Sequence, residues 1–350
     1  MKKYFVLFCL IGILIMSCYY SLISGTYHIS NDQLIGSLFE QNTDSQTLLI
    51  LWNFRIPRLV VSALVGGSLA IAGYILQTLT RNPIADAGLL GINSGAAFGS
   101  VFYYFIVGSY FIDGKELQNI SLIIFGILGA LSALLLNFSL SMSTSGISMS
   151  RFILNGIGIN MGFSAMTTYF SLKISNDDYS RVNNWLQGSI SQSNWTSIHQ
   201  IFPWILIAFI LLLFSQKHLE LLRYSDSHLR NIGFSMSYWR LFFIILASIL
   251  ICVSVLSAGN VAFVGLIVPY ITLKFFKRSS KLLIPAIFIN GMSLVTLCDT
   301  FVKNIFAPNE LPLNSMIGLI GIPYLILIFI NNSNSCLLYT SPSPRDQRGS

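Results

Sequence analysis

Charge is what this chain has least of. Charged residues fill 9% of its 350 positions, against roughly a quarter in an ordinary soluble domain, while 54% are hydrophobic. A water-soluble globule is excluded. So is nucleic-acid binding, because no basic run with interleaved aromatics accompanies the net charge of +7. Histidine and cysteine are sparse as well. His28, His199, His218 and His228 all lie in connections between apolar stretches. Cys9, Cys18, Cys252, Cys298 and Cys336 show no C-x-x-C and no Cys/His spacing that would hold a metal, so small core cysteines are the better reading. There is no H-E-x-x-H and no nucleophile–base spacing, which argues against an enzyme. There is also no G-x-x-x-x-G-K-[ST], so if ATP drives this protein it is hydrolysed on another chain.

What the chain has instead is length in apolar runs. Ten stretches stand out, at 4–24, 59–79, 88–110, 120–142, 152–172, 200–214, 237–258, 261–276, 282–303 and 311–330, and they predict an all-α membrane protein of about ten transmembrane helices. The stretches 200–214 and 261–276 are short, consistent with tilted or half-spanning segments. With the N-terminus inside, twelve basic residues fall on the cytoplasmic side, among them Arg81, Arg151, Arg223, Arg230 and Arg240. Six fall outside (Arg55, Arg58, Lys115, Lys173, Arg181 and Lys303), beside acidic residues such as Asp113, Glu116, Asp177, Asp178 and Glu310. Both termini are therefore placed in the cytoplasm. Lys2-Lys3 and an apolar run ending at Cys18 also fit a lipoprotein signal, but nine further spans favour a first transmembrane helix. Only Asp299 is an intramembrane carboxylate, near a span end, whereas an ion-coupled carrier needs ionisable groups near the midplane. Residues 1–330 read as a single transmembrane domain. Residues 331–350 are a polar tail, and from about Cys336 they resemble translated sequencing-adapter read-through, with a disordered cytoplasmic tail as the alternative reading.

Residues 55–99, RIPRLVVSALVGGSLAIAGYILQTLTRNPIADAGLLGINSGAAFG, carry the most information. Arg55 and Arg58 bracket Pro57 at one membrane face. About 20 apolar residues then lead to Arg81-Asn82-Pro83 at the other, enough for ~30 Å of hydrocarbon at ~1.5 Å per residue. Ser62, Gly66 and Ala70 recur every four residues, as do Gly91, Gly95 and Gly99, giving small faces for close helix approach. Asn155 and Asn160 stand in an otherwise apolar span, where an amide needs a partner or water. Gly158 and Gly162 beside them read as helix–helix contact. Residues 216–239 are too polar to span, and Leu219, Leu222, Leu229 and Ile232 give short helices an apolar face, with Ser225-Asp226-Ser227 as a break or cap. By pattern alone that segment lies at the lipid interface.

The 55–99 run resembles the permease subunits of ABC importers for iron-siderophores, haem and cobalamin. Those carry R-x-P-R, a glycine-rich helix and a Q-x-x-x-x-N-P-[LI]-A-[DE]-x-G-L-L-G connection. Here the pattern reads Gln77, Asn82-Pro83-Ile84-Ala85-Asp86, Gly88-Leu89-Leu90-Gly91-Ile92 and Ser94-Gly95-Ala96. Matches continue at Ser148-Met149-Ser150-Arg151, Asn184-Trp185-Leu186-Gln187-Gly188-Ser189, Val261 to Tyr270, Asp299 to Lys303, Glu310-Leu311-Pro312 and Ile320-Gly321-Ile322-Pro323. The resemblance covers nearly all of residues 1–330. Five departures stand out: Met149 for a gate threonine, Asn260-Val261 for Pro-Ile, Tyr270 for a histidine, Lys303 for an arginine, and the stretch Tyr224-Ser225-Asp226-Ser227-His228 in a coupling segment whose outline Leu222, Leu229 and Gly233 keep. The second removes the usual Gly-Pro break after Gly259.

The resemblance implies an ABC importer type II permease fold in the bacterial cytoplasmic membrane. It further implies a second permease subunit, identical or paralogous, two cytosolic ATPase subunits that hold the ATP and Mg, and an extracytoplasmic substrate-binding protein. No cofactor is expected on this chain. Arg55, Arg58 and Lys303 are the implied docking residues for the binding protein, though without that context exposed basic residues are commonly just solvated. Leu219, Leu222, Ser225, Asp226, Leu229 and Gly233 belong to the implied ATPase coupling segment. Met149, Ser150, Asn155 and Asn160 belong to the gate and pathway, and Asn82, Pro83, Asp86, Gly88 and Gly91 to structural turns. The expected cargo is a ferric siderophore, with haem or cobalamin as alternatives in the family and an ion-coupled secondary transporter as the alternative from another class.

Overall fold

The computed structural model describes residues 2–25, 27–38, 44–110, 118–143, 146–175, 187–191, 193–231, 233–305 and 311–336, with positions 180 and 183. The tail beyond 336, Asn184-Trp185-Leu186, Lys115, Arg181, Ile232 and the acidic residues 113, 116, 177, 178 and 310 lie outside them. The elements run α1 (Lys2–Ile23), α2 (Asn31–Leu38), α3 (Ser45–Ile50), a π-helical turn (Leu51–Arg55) and α4 (Ile56–Thr80). A 3-10 turn (Ala87–Leu90) precedes α5 (Ile92–Tyr110) and α6 (Gln118–Ser141). A two-residue antiparallel pair then sets Met142 opposite Ile147 before α7 (Met149–Ser171). The chain continues with α8 (Trp195–Leu221), α9 (Asp226–Asn231), α10 (Met236–Ala258), α11 (Val264–Phe275), α12 (Leu283–Ile305) and α13 (Leu313–Cys336). Each apolar stretch read from sequence coincides with one of these helices. Six of the helical stretches among the described residues are both long and apolar enough to cross a membrane.

The two short stretches separate. The one at 200–214 extends into a helix of 27 residues, about 40 Å long, so it is not a half-span. Polar residues at both ends had hidden its length. The one at 261–276 is short: α11 has 12 residues, about 18 Å, too little for ~30 Å of hydrocarbon.

Helix α4 is the centre of the fold, with nearly every side chain from Val61 to Leu79 buried. Its small face packs on α12, antiparallel, in the register Arg58 to Asp299, Ser62 to Thr296 and Gly66 to Gly291. A Cβ on Gly66 would lie 2.2 Å from the Gly291 carbonyl oxygen, so any larger residue there pushes the two backbones apart. A second close approach joins α4 to α11, where a Cβ on Gly73 would stand 2.0 Å from the Gly265 oxygen. Helix α10 lies along another side, also antiparallel, with Ser68 and Ser254 hydroxyls 2.6 Å apart. The second small face works the same way, Gly95 meeting Gly129 and Gly99 meeting Phe125 across α5 and α6.

Gly158 and Gly162 behave differently. Nothing lies within 4 Å of a Cβ placed on either, so they are not contacts between helices of this chain. The face of α7 that carries them also exposes Leu154, Ile157 and Met161. The expected loss of the break after Gly259 is likewise overturned. Helix α10 stops at Ala258, Gly259 takes φ +71° and Phe263 φ +67°, and α11 starts afresh at Val264. Glycine takes a positive φ without steric cost, so it ends the helix without help from proline.

Candidate functional site

The two ends of α4 gather most of the residues singled out in the sequence. At the first end, the π-helical turn brings Arg55 under the last turn of α1. Its guanidinium donates to the carbonyl oxygens of Leu22, Ile23 (3.0 Å) and Tyr27, and the residue is 8% exposed. The Leu22 and Ile23 oxygens are carbonyls that the end of α1 leaves without intrahelical partners, and Tyr27 lies in the connection that follows. Arg58 grips Asp299 through Nε to both carboxylate oxygens (3.1 and 2.9 Å) and Nη2 to Oδ1 (2.9 Å), with both side chains largely buried. Lys303 donates to the Ser21 carbonyl at 2.8 Å, and Asn304 to the Ser24 hydroxyl at 3.0 Å. The three cations do converge, but each has an internal partner. They knot α1, α4 and α12 together, and an acidic partner would compete with bonds already made.

At the second end Arg81 terminates α4 in the left-handed conformation, φ +53°. Its side chain donates to the Leu222 carbonyl (Nε 3.3 Å, Nη2 3.2 Å), to the Tyr224 carbonyl and to Asp226 Oδ1 at 2.7 Å. Arg240 reaches the same carboxylate from α10, Nη2 lying 2.8 and 2.9 Å from its two oxygens. Burial alone would raise the Asp226 pKa, but the bonds and charges of the two arginines outweigh it and hold the carboxyl below its ordinary value. Leu219, Leu222 and Leu229 are buried, so they fasten the 216–239 segment to the helices behind it. Gly233 ends α9 at φ +71°, with its N–H on Arg230 O and the Phe234 N–H on Leu229 O, a paired closure of the helix end. Arg223, Tyr224, Ser225, Ser227, His228 and Arg230 are left on the surface. His218 stacks on Trp239 with ring centroids 3.8 Å apart.

The turn residues hold the connection after α4. Asn82 Oδ1 accepts the Ile84 N–H at 3.0 Å, Pro83 is exposed, and Gly91 turns the chain at φ +75°. A Cβ on Gly88 would meet open space, so that glycine is not required by packing. Asp86 Oδ2 accepts the N–H of Phe263 at 3.2 Å, and Gln77 Nε2 donates to the Gly265 oxygen at 3.0 Å. The motif residues Gln77 and Asp86 thus support the break between α10 and α11. Met149 is half-buried and Ser150 exposed at the start of α7. Asn155 donates to Ser141 Oγ (3.1 Å), Ser141 to Asn137 Oδ1 (3.2 Å) and Asn137 to the Leu90 oxygen (3.2 Å), a polar chain linking α7 to α6. Asn160 is half-buried one turn further along.

Three features were missed in the sequence: the Arg58–Asp299 pair, the Arg81–Asp226–Arg240 cluster and the Gln77 and Asp86 contacts. Their only signal was the presence of polar residues beside apolar runs. Among the described residues no group of His, Cys, Asp and Glu could hold a metal ion. A mostly apolar cavity of about 680 Å³ lies between α6, α8 and α10, lined by Leu131, Trp204, Ile249, Cys252 and Leu256 among others. None of the expected site residues lines it.

Residues 13–331 match the FecCD transport family. The chain is 34% identical over 334 residues to the iron-uptake system permease protein FeuC of Bacillus subtilis (strain 168), covering 94% of this chain and 97% of that protein. It is 33% identical to the iron(3+)-hydroxamate import system permease protein FhuG of the same strain, covering 91% and 94%. A solved structure described as an inward-facing conformation of a "metal-chelate type ABC transporter" superposes with a TM-score of 0.80 at 25% identity, over 93% of this chain and 99% of that one.

Proposed function

The chain belongs to the FecCD transport family and is a multi-pass permease of the bacterial cytoplasmic membrane. From that premise we propose that it is the membrane-spanning subunit of an ATP-driven importer of ferric siderophore complexes. The observation that carries the cargo class is the match, along more than nine-tenths of the chain, to FeuC and FhuG, named for iron uptake and ferric hydroxamate import. Haem and cobalamin are the alternatives within the family.

The working assembly has two permease subunits, two cytosolic ATPases carrying ATP and Mg, and an extracytoplasmic binding protein. The exposed face of α7, with Gly158, Gly162 and Met161, fits a surface completed by the second permease, so that Met149, Ser150, Asn155 and Asn160 border the route between them. The Arg81 end, with the segment from Leu219 to Gly233, would face the ATPase, and the Arg55 end, with Arg58 and Lys303, the binding protein. Both termini would then be cytoplasmic. ATP-driven closure of the ATPases moves the exposed segment, and the packed helices behind it open the route to the other side.

Vesicles holding the whole complex test this. Uptake of a ferric hydroxamate should require ATP and the binding protein and stop with vanadate. Uptake driven by a proton gradient alone would refute it in favour of an ion-coupled carrier.

A further inference from the structure

The segment that crosses from α8 to α10 presents cations to solvent, while its carboxylate Asp226, itself partly exposed, is bound by two arginines from the helices behind it. Arg81 and Arg240 come from different long helices and meet on one carboxylate at 2.7 to 2.9 Å. Arg81 adds bonds to the carbonyls of Leu222 and Tyr224, so one guanidinium holds the end of α8, the bend after it and the start of α9. Arg240 has a side chain only 10% exposed. Its Nη2 bonds to both Asp226 oxygens tie α10 to that one carboxylate, a directional contact that apolar contacts such as those of Leu229 do not supply.

We infer that Asp226 is a positioning residue that clamps the exposed segment to α4 and α10, so that a displacement of the segment is delivered to the central helix of the fold. The inference rests on the reading of this segment as the ATPase-facing one. A loop joined to the bundle only through its backbone and a few leucines can slide or hinge when pushed. With the clamp closed, the segment moves with α4, whose Gly66 and Gly73 contacts are too tight to absorb the motion. The push therefore reaches α12 and α11 in turn. The sequence gives no hint of this, since Arg81 and Asp226 stand 145 residues apart.

The test is the number of ferric hydroxamate molecules taken up per ATP hydrolysed by the complete complex in vesicles. Loss of folded protein lowers both quantities together and leaves that ratio unmoved, whereas loss of the clamp lowers it. Asp226→Asn keeps the shape and removes the charge, and should lower the ratio roughly tenfold, inside the ~5–150-fold span of coupling between linked sites. Asp226→Glu, which restores a carboxylate, should recover most of it. A wild-type ratio in Asp226→Asn overturns the inference. If that variant fails to assemble, Arg81→Lys carries the test from a partly exposed position, keeping the charge and losing the planar set of donors that reaches Asp226 and the Leu222 and Tyr224 carbonyls together. A several-fold fall then supports the clamp, and an unchanged ratio overturns it. Failure of the wild-type complex to use ATP at all would instead refute the functional reading.

Discussion

The two ends of α4 are marked by the same kind of residue and use it in opposite ways. At one end Arg55 is buried, Arg58 is largely so, and they are bound to α1 and α12, which makes that end a knot inside the fold. At the other Arg81 is partly exposed and shares Asp226 with Arg240, holding in place a surface segment whose Arg223, His228 and Arg230 are exposed. Arginine at a membrane boundary thus serves stability where its partner is a buried carboxylate or a helix end. Where its partner lies on an exposed segment, it fastens that segment to the helices behind it. The difference comes from burial, because an ion pair out of water is costly to break and an exposed one is not.

The contrast can be broken at either end. Asp299→Ala leaves Arg58 buried without its carboxylate and should destabilise the purified protein most, by about 3–5 kcal/mol, seen as a large drop in thermal midpoint in detergent. Arg55→Ala strands the carbonyls of α1 and should cost about 1–3 kcal/mol in the same assay. Arg81→Ala loses an exposed ion pair worth up to about 1 kcal/mol together with bonds to the Leu222 and Tyr224 carbonyls, and should lower the midpoint less than Asp299→Ala and yet lower uptake per ATP. A midpoint for Arg81→Ala as low as for Asp299→Ala would erase the distinction. The smallest effect concerns pH. The Asp226 carboxyl binds its proton less tightly in the fold than its ordinary value of 3.8, so its bonds are complete above that value and are lost only as pH falls through the lower folded one. Uptake per ATP should therefore stay flat from about pH 8 to about pH 5. A fall near neutrality would point to another group.

Much of this architecture was legible in the chain. The period-four faces of Ser62, Gly66 and Ala70 and of Gly95 and Gly99 became helix contacts, because spacing on a helix is local information. The turn at Asn82 and Gly91 was legible for the same reason. The break after Gly259 was misjudged, since attention fell on the missing proline when the glycine sufficed. What stayed hidden was every pairing over long separation. Arg58 and Asp299 are 241 residues apart and Gln77 and Gly265 188, and nothing in residue type or period says that they meet. Arg55, Arg58 and Lys303 could be seen as basic residues at a boundary, but not as residues already bound to Leu22, Asp299 and Ser21.

The division of labour between the ends is tested most directly by placing a photo-crosslinking residue at Tyr224, exposed on the Arg81 end, in the complete transporter in native membranes. The expected product on illumination is an adduct with the cytosolic ATPase subunit. An adduct with the extracytoplasmic binding protein, or a probe that labels only lipid, would contradict the account.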